Sequence, residues 1–279
     1  MPRPNALMKE FSISPLSMLR SLVLHRRLAV SLIKREVIGR YRGSMLGTLW
    51  SFFNPLMMLL IYTFVFSVVF QARWKGGSGS KTEFALVLFS GLLVFNVFSE
   101  CLNRAPTLIL MNVNYVKKVV FPLEILPLVS QGAAVFHGLV SFVVWFVFYV
   151  VFFGLPPATA WLFPLVVLPL MFLCLGLGWF LASLGVYLRD VAQFVGLLVT
   201  ALMFLSPIFY PVSALPERYR SVMELNPMTP VIEQVRGVLI LGQVPNWHDF
   251  AMQFIGSIVI AWLGFSWFQK TRKGFADVL

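Results

Sequence analysis

Six long apolar runs, near residues 46–70, 84–104, 122–153, 160–187, 191–211 and 248–268, constrain this chain more than any other feature. A bilayer's hydrocarbon core is crossed by about 20 apolar residues of helix, and the runs are of that order. Of the 279 residues, 59% are hydrophobic and only 12% charged, with a mean hydropathy of +0.84. A soluble domain carries about 25% charged residues. The expected class is therefore an all-α integral membrane protein with about six transmembrane helices. Six spans and their connections leave no separate soluble catalytic domain. The third run exceeds what a bilayer requires, and Pro122 and Pro127 make its start irregular, so part of it is expected to tilt or lie in the interface.

The net charge of +11 sits beside the apolar runs rather than on a polar domain, which argues against nucleic acid as a partner. Lys and Arg report orientation. With the N-terminus inside, the inner side holds sixteen of the 22: Arg3, Lys9, Arg20, Arg26, Arg27, Lys34, Arg35, Arg40, Arg42, Arg104, Lys117, Lys118, Arg189, Lys270, Arg272 and Lys273. The outer side holds six: Arg73, Lys75, Lys81, Arg218, Arg220 and Arg236. Both termini are expected to be cytoplasmic. Cys101 and Cys174 fall in apolar stretches, as buried small hydrophobes do. The early run LSMLRSLVL (16–24) is interrupted by Arg20 and is not expected to be a cleaved signal.

Residues 1–45 read as a tail followed by an amphipathic interface helix, and residues 46–279 as the transmembrane domain. In the stretch 16–42, Arg20, Arg27, Ser31, Lys34, Arg35 and Arg42 share one helical face, with Arg40 nearby. Val30, Ile33, Val37 and Tyr41 form the opposing stripe. Such a helix lies in the membrane surface with its cations facing phosphates or a partner; a plain orientation anchor is the simpler alternative. Two connections are longer than turns. Residues 105–121, on the inner side, are helix-competent. Residues 213–245, outside, are divided by Pro216, Pro227 and Pro230 into two short helical pieces. The stretch VIEQVRGVLIL (231–241) is apolar enough to re-enter the membrane, which is tolerated where protein covers the backbone. An ordinary surface loop is the alternative.

Catalytic chemistry is not evident. A phosphate-cradling loop needs G-x-x-x-x-G-K-[ST]; KGGSGSKT (75–82) has Lys75 and Ser80 where glycines are required. Ion-coupled transport leaves ionisable groups in mid-membrane. Glu100 and Glu124 fall near the inner ends of their runs, and His137, the deeper group, reads first as a hydrogen-bonded core residue. His248 beside Asp249 has no partner motif, and no metal site is suggested. Aromatics mark two regions, one with Trp50, Phe52, Phe53, Tyr62, Phe66 and Phe70, the other with Phe204, Phe209 and Tyr210. Aromatic faces suit sugar rings, although most such residues serve as interface belts or packing.

The run at 33–70 resembles the permease subunits of type 2 ABC exporters for cell-surface polysaccharide, the O-antigen, capsule and teichoic acid systems. The matching residues are Arg35 and Arg40 before Tyr41-Arg42-Gly43-Ser44, then Leu46-Gly47, Leu49-Trp50, Asn54-Pro55-Leu56 and Ile61-Tyr62. SPIFYPVSALPERYR (206–220) and LNPMTPVIEQVRGVL (225–239) are similar to the family's later region, and the six-run layout agrees over essentially the whole chain.

The resemblance implies a homodimer in the bacterial inner membrane, assembled with two copies of a separate ATPase that uses ATP and Mg. This chain itself would bind no cofactor or metal and would have no catalytic residue. The substrate implied is a lipid-linked polysaccharide, with O-antigen foremost, and membrane lipids surround the assembly. Asn112, Asn114, Tyr115, Lys117 and Lys118 would couple to the ATPase, aided by Arg27, Lys34, Arg35, Arg40 and Arg42 on the interface helix. Trp50, Phe53, Tyr62, Phe66, Phe204, Phe209 and Tyr210 are candidates to contact the glycan. A type 2 ABC permease for a small lipid or drug shares the fold and is the alternative. An ion-coupled flippase lacks its mid-membrane carboxylates here, and a membrane transferase lacks paired carboxylates or a histidine motif.

Overall fold

The computed structural model describes residues 12–69, 81–117 and 121–279, and within them every regular element is helical. Helices α1 (Pro15–Leu24) and α2 (Arg26–Arg40) come first. They are followed by α3 (Trp50–Tyr62), continued by a π-helical stretch over Thr63–Val69, and by α4 (Lys81–Arg104). Tight turns and the single-turn α5 (Val113–Val116) lead to α6 (Ile125–Phe153), α7 (Phe163–Tyr187) and α8 (Val191–Leu205). The short α9 (Glu217–Glu224) and α10 (Met228–Arg236) precede α11 (Trp247–Thr271) and a last turn, α12 (Phe275–Val278).

Among the described residues, five helical stretches are long and apolar enough to cross a membrane: Gly47–Phe66, Thr82–Thr107, Ile125–Phe153, Ala158–Tyr187 and Trp247–Val278. The remaining sequence run yields α8, whose 15 residues extend about 22 Å at 1.5 Å each, short of a core of about 30 Å. Its stop is local. Proline pushes the preceding residue out of the helical region, and Ser206, before Pro207, is extended with ψ 150°.

Helix α4 is the hub. Of its most apolar window 83% is buried, and it touches α3, α6, α7, α8 and α10. A helix enclosed on all sides needs no polar face, and Leu88, Leu92, Phe95 and Phe98 are nearly inaccessible. Helix α3 is the opposite case, with 6% of its window buried. Helices α7 and α11 run backbone to backbone at two glycines. A Cβ on Gly264 would lie 2.1 Å from the Gly176 carbonyl, and one on Gly176 2.6 Å from the Ile260 carbonyl. Small residues at such a crossing let the main chains meet. Two buried tryptophans tie helices together through their indole N–H: Trp145 donates to Leu86 O at 3.2 Å and Trp179 to Glu124 O at 2.8 Å.

The basic stretch 16–42 divides at His25, whose backbone (φ −96°, ψ 12°) is not helical. Helix α2 lays Ala29, Leu32 and Val37 inward and packs along α6. A Cβ on Gly132 would sit 2.3 Å from Ile33 Cδ1, so that glycine makes room for the contact. Val30, read as part of the apolar stripe, is instead 65% exposed, and Leu32 takes the buried place. The segment 213–245 follows the proline reading: Pro227 separates α9 from α10. Asn226 accepts from Met228 N at 2.9 Å and donates to Leu205 O and Ser206 Oγ, joining the start of α10 to the end of α8. Val231, Ile232, Val235, Val238 and Leu239 are fully buried, because α10 packs into α4 and α7.

Candidate functional site

Three places gather the residues that the sequence singles out. The first is the segment after α4. Instead of a continuous helix, it makes tight turns over Ala105–Thr107 and Leu110–Asn112 before α5. Its base is wedged in the protein: Ala105, Pro106 and Ile109 are buried, and a Cβ on Gly185 of α7 would lie 2.0 Å from Pro106 O. Its tip is open, with Met111 78% exposed and Asn114 and Lys117 exposed beside it. Asn112 is held inward by donating to Leu108 O at 2.8 Å. Tyr115 stacks on Phe121 at 4.1 Å and accepts from Arg35 Nη2 at 2.7 Å. That bond joins α2 to this segment. Arg27, Lys34 and Arg42 are exposed on the same helix or just past its end. Lys118 lies outside the described residues, as do residues 1–11, Phe70, Arg73 and Lys75.

The second place is a cleft of about 450 Å³ between the end of α2, α3, α4 and α6. Trp50, Asn54 and Tyr62 line it from α3, Asn96 and Glu100 from α4, His137 from α6, and Arg40 with Tyr41 close one end. That end carries a charge network which sequence reasoning did not assemble. Glu100 receives Arg40, His137 Nδ1 lies 2.9 Å from Glu100 Oε2, and Arg104 pairs with Glu36 and stands 3.7 Å from Glu100. His137, read as a deep residue, is level with the last turn of α4 because the first part of the long α6 runs beside α2. Apart from Glu100 and Arg104, four apart on α4, the partners lie 37 to 97 residues apart, so no spacing could disclose them. Burial raises the Tyr41 phenol above its ordinary range, ahead of the opposing influence of Arg40. A second ionic tie lies nearby: Arg272 bonds Glu124 at 2.6 Å and Phe121 O at 2.9 Å, and Ser21 donates to Glu124 at 2.9 Å.

The third place joins the far ends of α3 and α8. Phe66 stacks on Phe209 at 5.3 Å, and Phe209 on Phe204 at 5.9 Å, so three of the aromatic candidates form one row. Phe66 and Phe209 pack on the core, while Phe204 is 60% exposed. Tyr210 donates to Phe204 O at 2.9 Å, its phenol raised by burial. Phe53 stands apart from the row, edge-on to Phe52. Arg236, counted by sequence as an outer cation, is 2% exposed. It donates to the carbonyls of Pro207, Ile208 and Val87 and pairs with Glu233 at 3.3 Å. An arginine in an apolar stretch with glutamate three residues before it is the signal that could have marked it.

The geometry combines an open, anchored tip with a polar cleft and largely unpartnered apolar helix faces on α3 and α8, where Leu60, Ile61, Phe64, Phe194 and Leu197 are exposed. Among the described residues no group of acidic, histidine and cysteine side chains could hold a metal. The family described as ABC-2 type transporter matches residues 27–240. The O-antigen export system permease protein RfbA of Myxococcus xanthus is 30% identical over 262 residues, covering 93% of this chain and 98% of that protein. RfbA of Klebsiella pneumoniae is 27% identical over 90% of this chain and 95% of its own length. The polysialic acid transport protein KpsM of Escherichia coli is 23% identical over 87% and 92%.

Proposed function

This chain belongs to the ABC-2 type transporter family of membrane proteins, and from that premise we propose that it is the permease subunit of an exporter carrying lipid-linked polysaccharide, O-antigen foremost, across the bacterial inner membrane. The observation that carries the reading is similarity from end to end to an O-antigen export permease, over 98% of that protein. The chain works as a homodimer with two copies of a separate ATPase, which supplies the ATP and Mg chemistry. Helix α8 counts as the fifth of six spans, short because its outer end breaks at Ser206–Pro207 and packs on the re-entrant α10. Both termini are cytoplasmic, and α1 and α2 lie at that membrane face.

Energy enters through the tip at Met111–Lys117. A rigid base and open tip suit a lever, because a push on the tip reaches α4 and α7 as rigid-body movement rather than as local bending. The exposed faces of α3 and α8 meet the second copy, since six helices are too few to enclose a polymer and a two-fold dimer closes the path. The test is deletion in the native host followed by blotting of surface and internal fractions for long-chain polysaccharide. Loss at the surface with accumulation inside on the lipid carrier is the expected result. Unchanged surface polysaccharide would overturn the reading in favour of a small-lipid or drug permease.

A further inference from the structure

The ion pair between Glu124 and Arg272 is nearly closed to solvent, with the two side chains 9% and 13% exposed. A buried ion pair is weak evidence for stability, since an apolar pair of similar volume often serves the fold as well. Its best-attested use is to fix a register or a switch. Glu124 is also the N-cap of α6, where an acidic side chain ordinarily accepts from the N–H groups of its own first turn. Here it makes no such bond. One oxygen accepts from Ser21 of α1 at 2.9 Å and the other from Arg272 at 2.6 Å.

Through Arg272 the pair reaches the tip that follows α4. The outgoing limb of that segment, at Pro106, rests on Gly185 of α7. The returning limb, at Phe121, stacks on Tyr115 of α5 at 4.1 Å and accepts through its carbonyl from the second arm of Arg272 at 2.9 Å. Both members of the pair are fixed to α7. Trp179 donates to Glu124 O at 2.8 Å, and Tyr187 donates at 2.8 Å to the carbonyl of Thr271, next to Arg272. Helices α7 and α11 meet main chain to main chain at Gly176 and Gly264, so the two footings of the tip stand on one body. A segment held at one footing pivots under load, whereas two footings turn the whole body.

We propose that Glu124 and Arg272 are positioning residues for export. The guanidinium fork holds the returning limb to the α7–α11 pair, and the carboxylate holds α1 to it, so that movement at the tip reaches the membrane helices. The proposal rests on the export reading above.

The test uses the deletion strain supplied with each variant, together with the permease–ATPase complex purified from it. Glu124→Gln with Arg272→Met removes both charges at once and leaves neither unpaired. The thermal midpoint of the complex should therefore stay within about 3 °C of wild type. Surface polysaccharide should nevertheless fall by about tenfold or more, while the ATPase still co-purifies and its rate stays within about threefold. Arg272→Lys keeps the charge and loses the fork, and should lower surface polysaccharide by about threefold or more; it carries the test should the double variant not assemble. Normal surface polysaccharide in the assembled double variant or in Arg272→Lys would reduce the pair to a structural tie and overturn the proposal. Loss of ATPase co-purification would overturn it too, by assigning the pair to docking. A deletion strain that never loses its surface polysaccharide fails the export reading itself, whereas restoration by the double variant as well as by the wild type removes only the positioning role.

Discussion

Arg236 shows how much a single side chain organises here. It is an always-charged group with five donors, and three backbone carbonyls and Glu233 surround it. Two of those carbonyls, on Pro207 and Ile208, lie in the non-helical chain just past the end of α8. Arg236→Met leaves them buried and unmatched, and is expected to cost about 3 kcal/mol, read as a lower thermal midpoint of the purified protein. Arg236→Lys should recover only part, because an ammonium cannot span three carbonyls in one plane. Gly91 reinforces the point, since a Cβ there would sit 3.2 Å from Arg236 Nη2.

Among the elements, α7 and α11 supply a controlled comparison. Gly264→Ala drives a methyl into the Gly176 carbonyl, while Gly256→Ala on the same helix meets nothing within 4 Å. The first is expected to destabilise by about 2 kcal/mol and the second to be neutral or slightly stabilising, measured by thermal melts of the two variants side by side. The tip after α4 carries its own prediction. Lys117→Glu together with Lys118→Glu should abolish co-purification of the ATPase while leaving insertion unchanged, since reversed charge at a docking surface disfavours association. A variant that still binds the ATPase and exports normally would remove the coupling role.

Elements of this kind are legible in sequence where the cause is local. Apolar length marks the spans, and Pro227 marks the division between α9 and α10. The break at His25 has no glycine or proline to announce it, and the turns at 105–112 come from Pro106 docking on Gly185, a contact 79 positions away in the chain. The site divides in the same way. Trp50 and Tyr62 are readable as candidates, but the meeting of Arg40, Glu100 and His137 comes from the packing of α2, α4 and α6 and not from spacing.

At the scale of the molecule, orientation can be read directly. Cys101 and Cys174 are buried, so the natural chain gives little background to a membrane-impermeant maleimide. A cysteine in place of Asp277, exposed in the last turn, is expected to react in inside-out vesicles and not in intact spheroplasts. A cysteine in place of Leu155, 85% exposed between α6 and α7, should behave oppositely. The same side for both would contradict the proposed arrangement.

Helix α3 has a further consequence at this scale. It carries Pro55 within its length and buries almost nothing against its own chain, so its neighbours contribute little to keeping it in register. A copy made in excess of its companions would present this helix to the cell's membrane proteases as the first segment to unravel. Supply of the complete assembly would then be policed by degradation of the surplus, with the abundance of the permease following that of the components it joins.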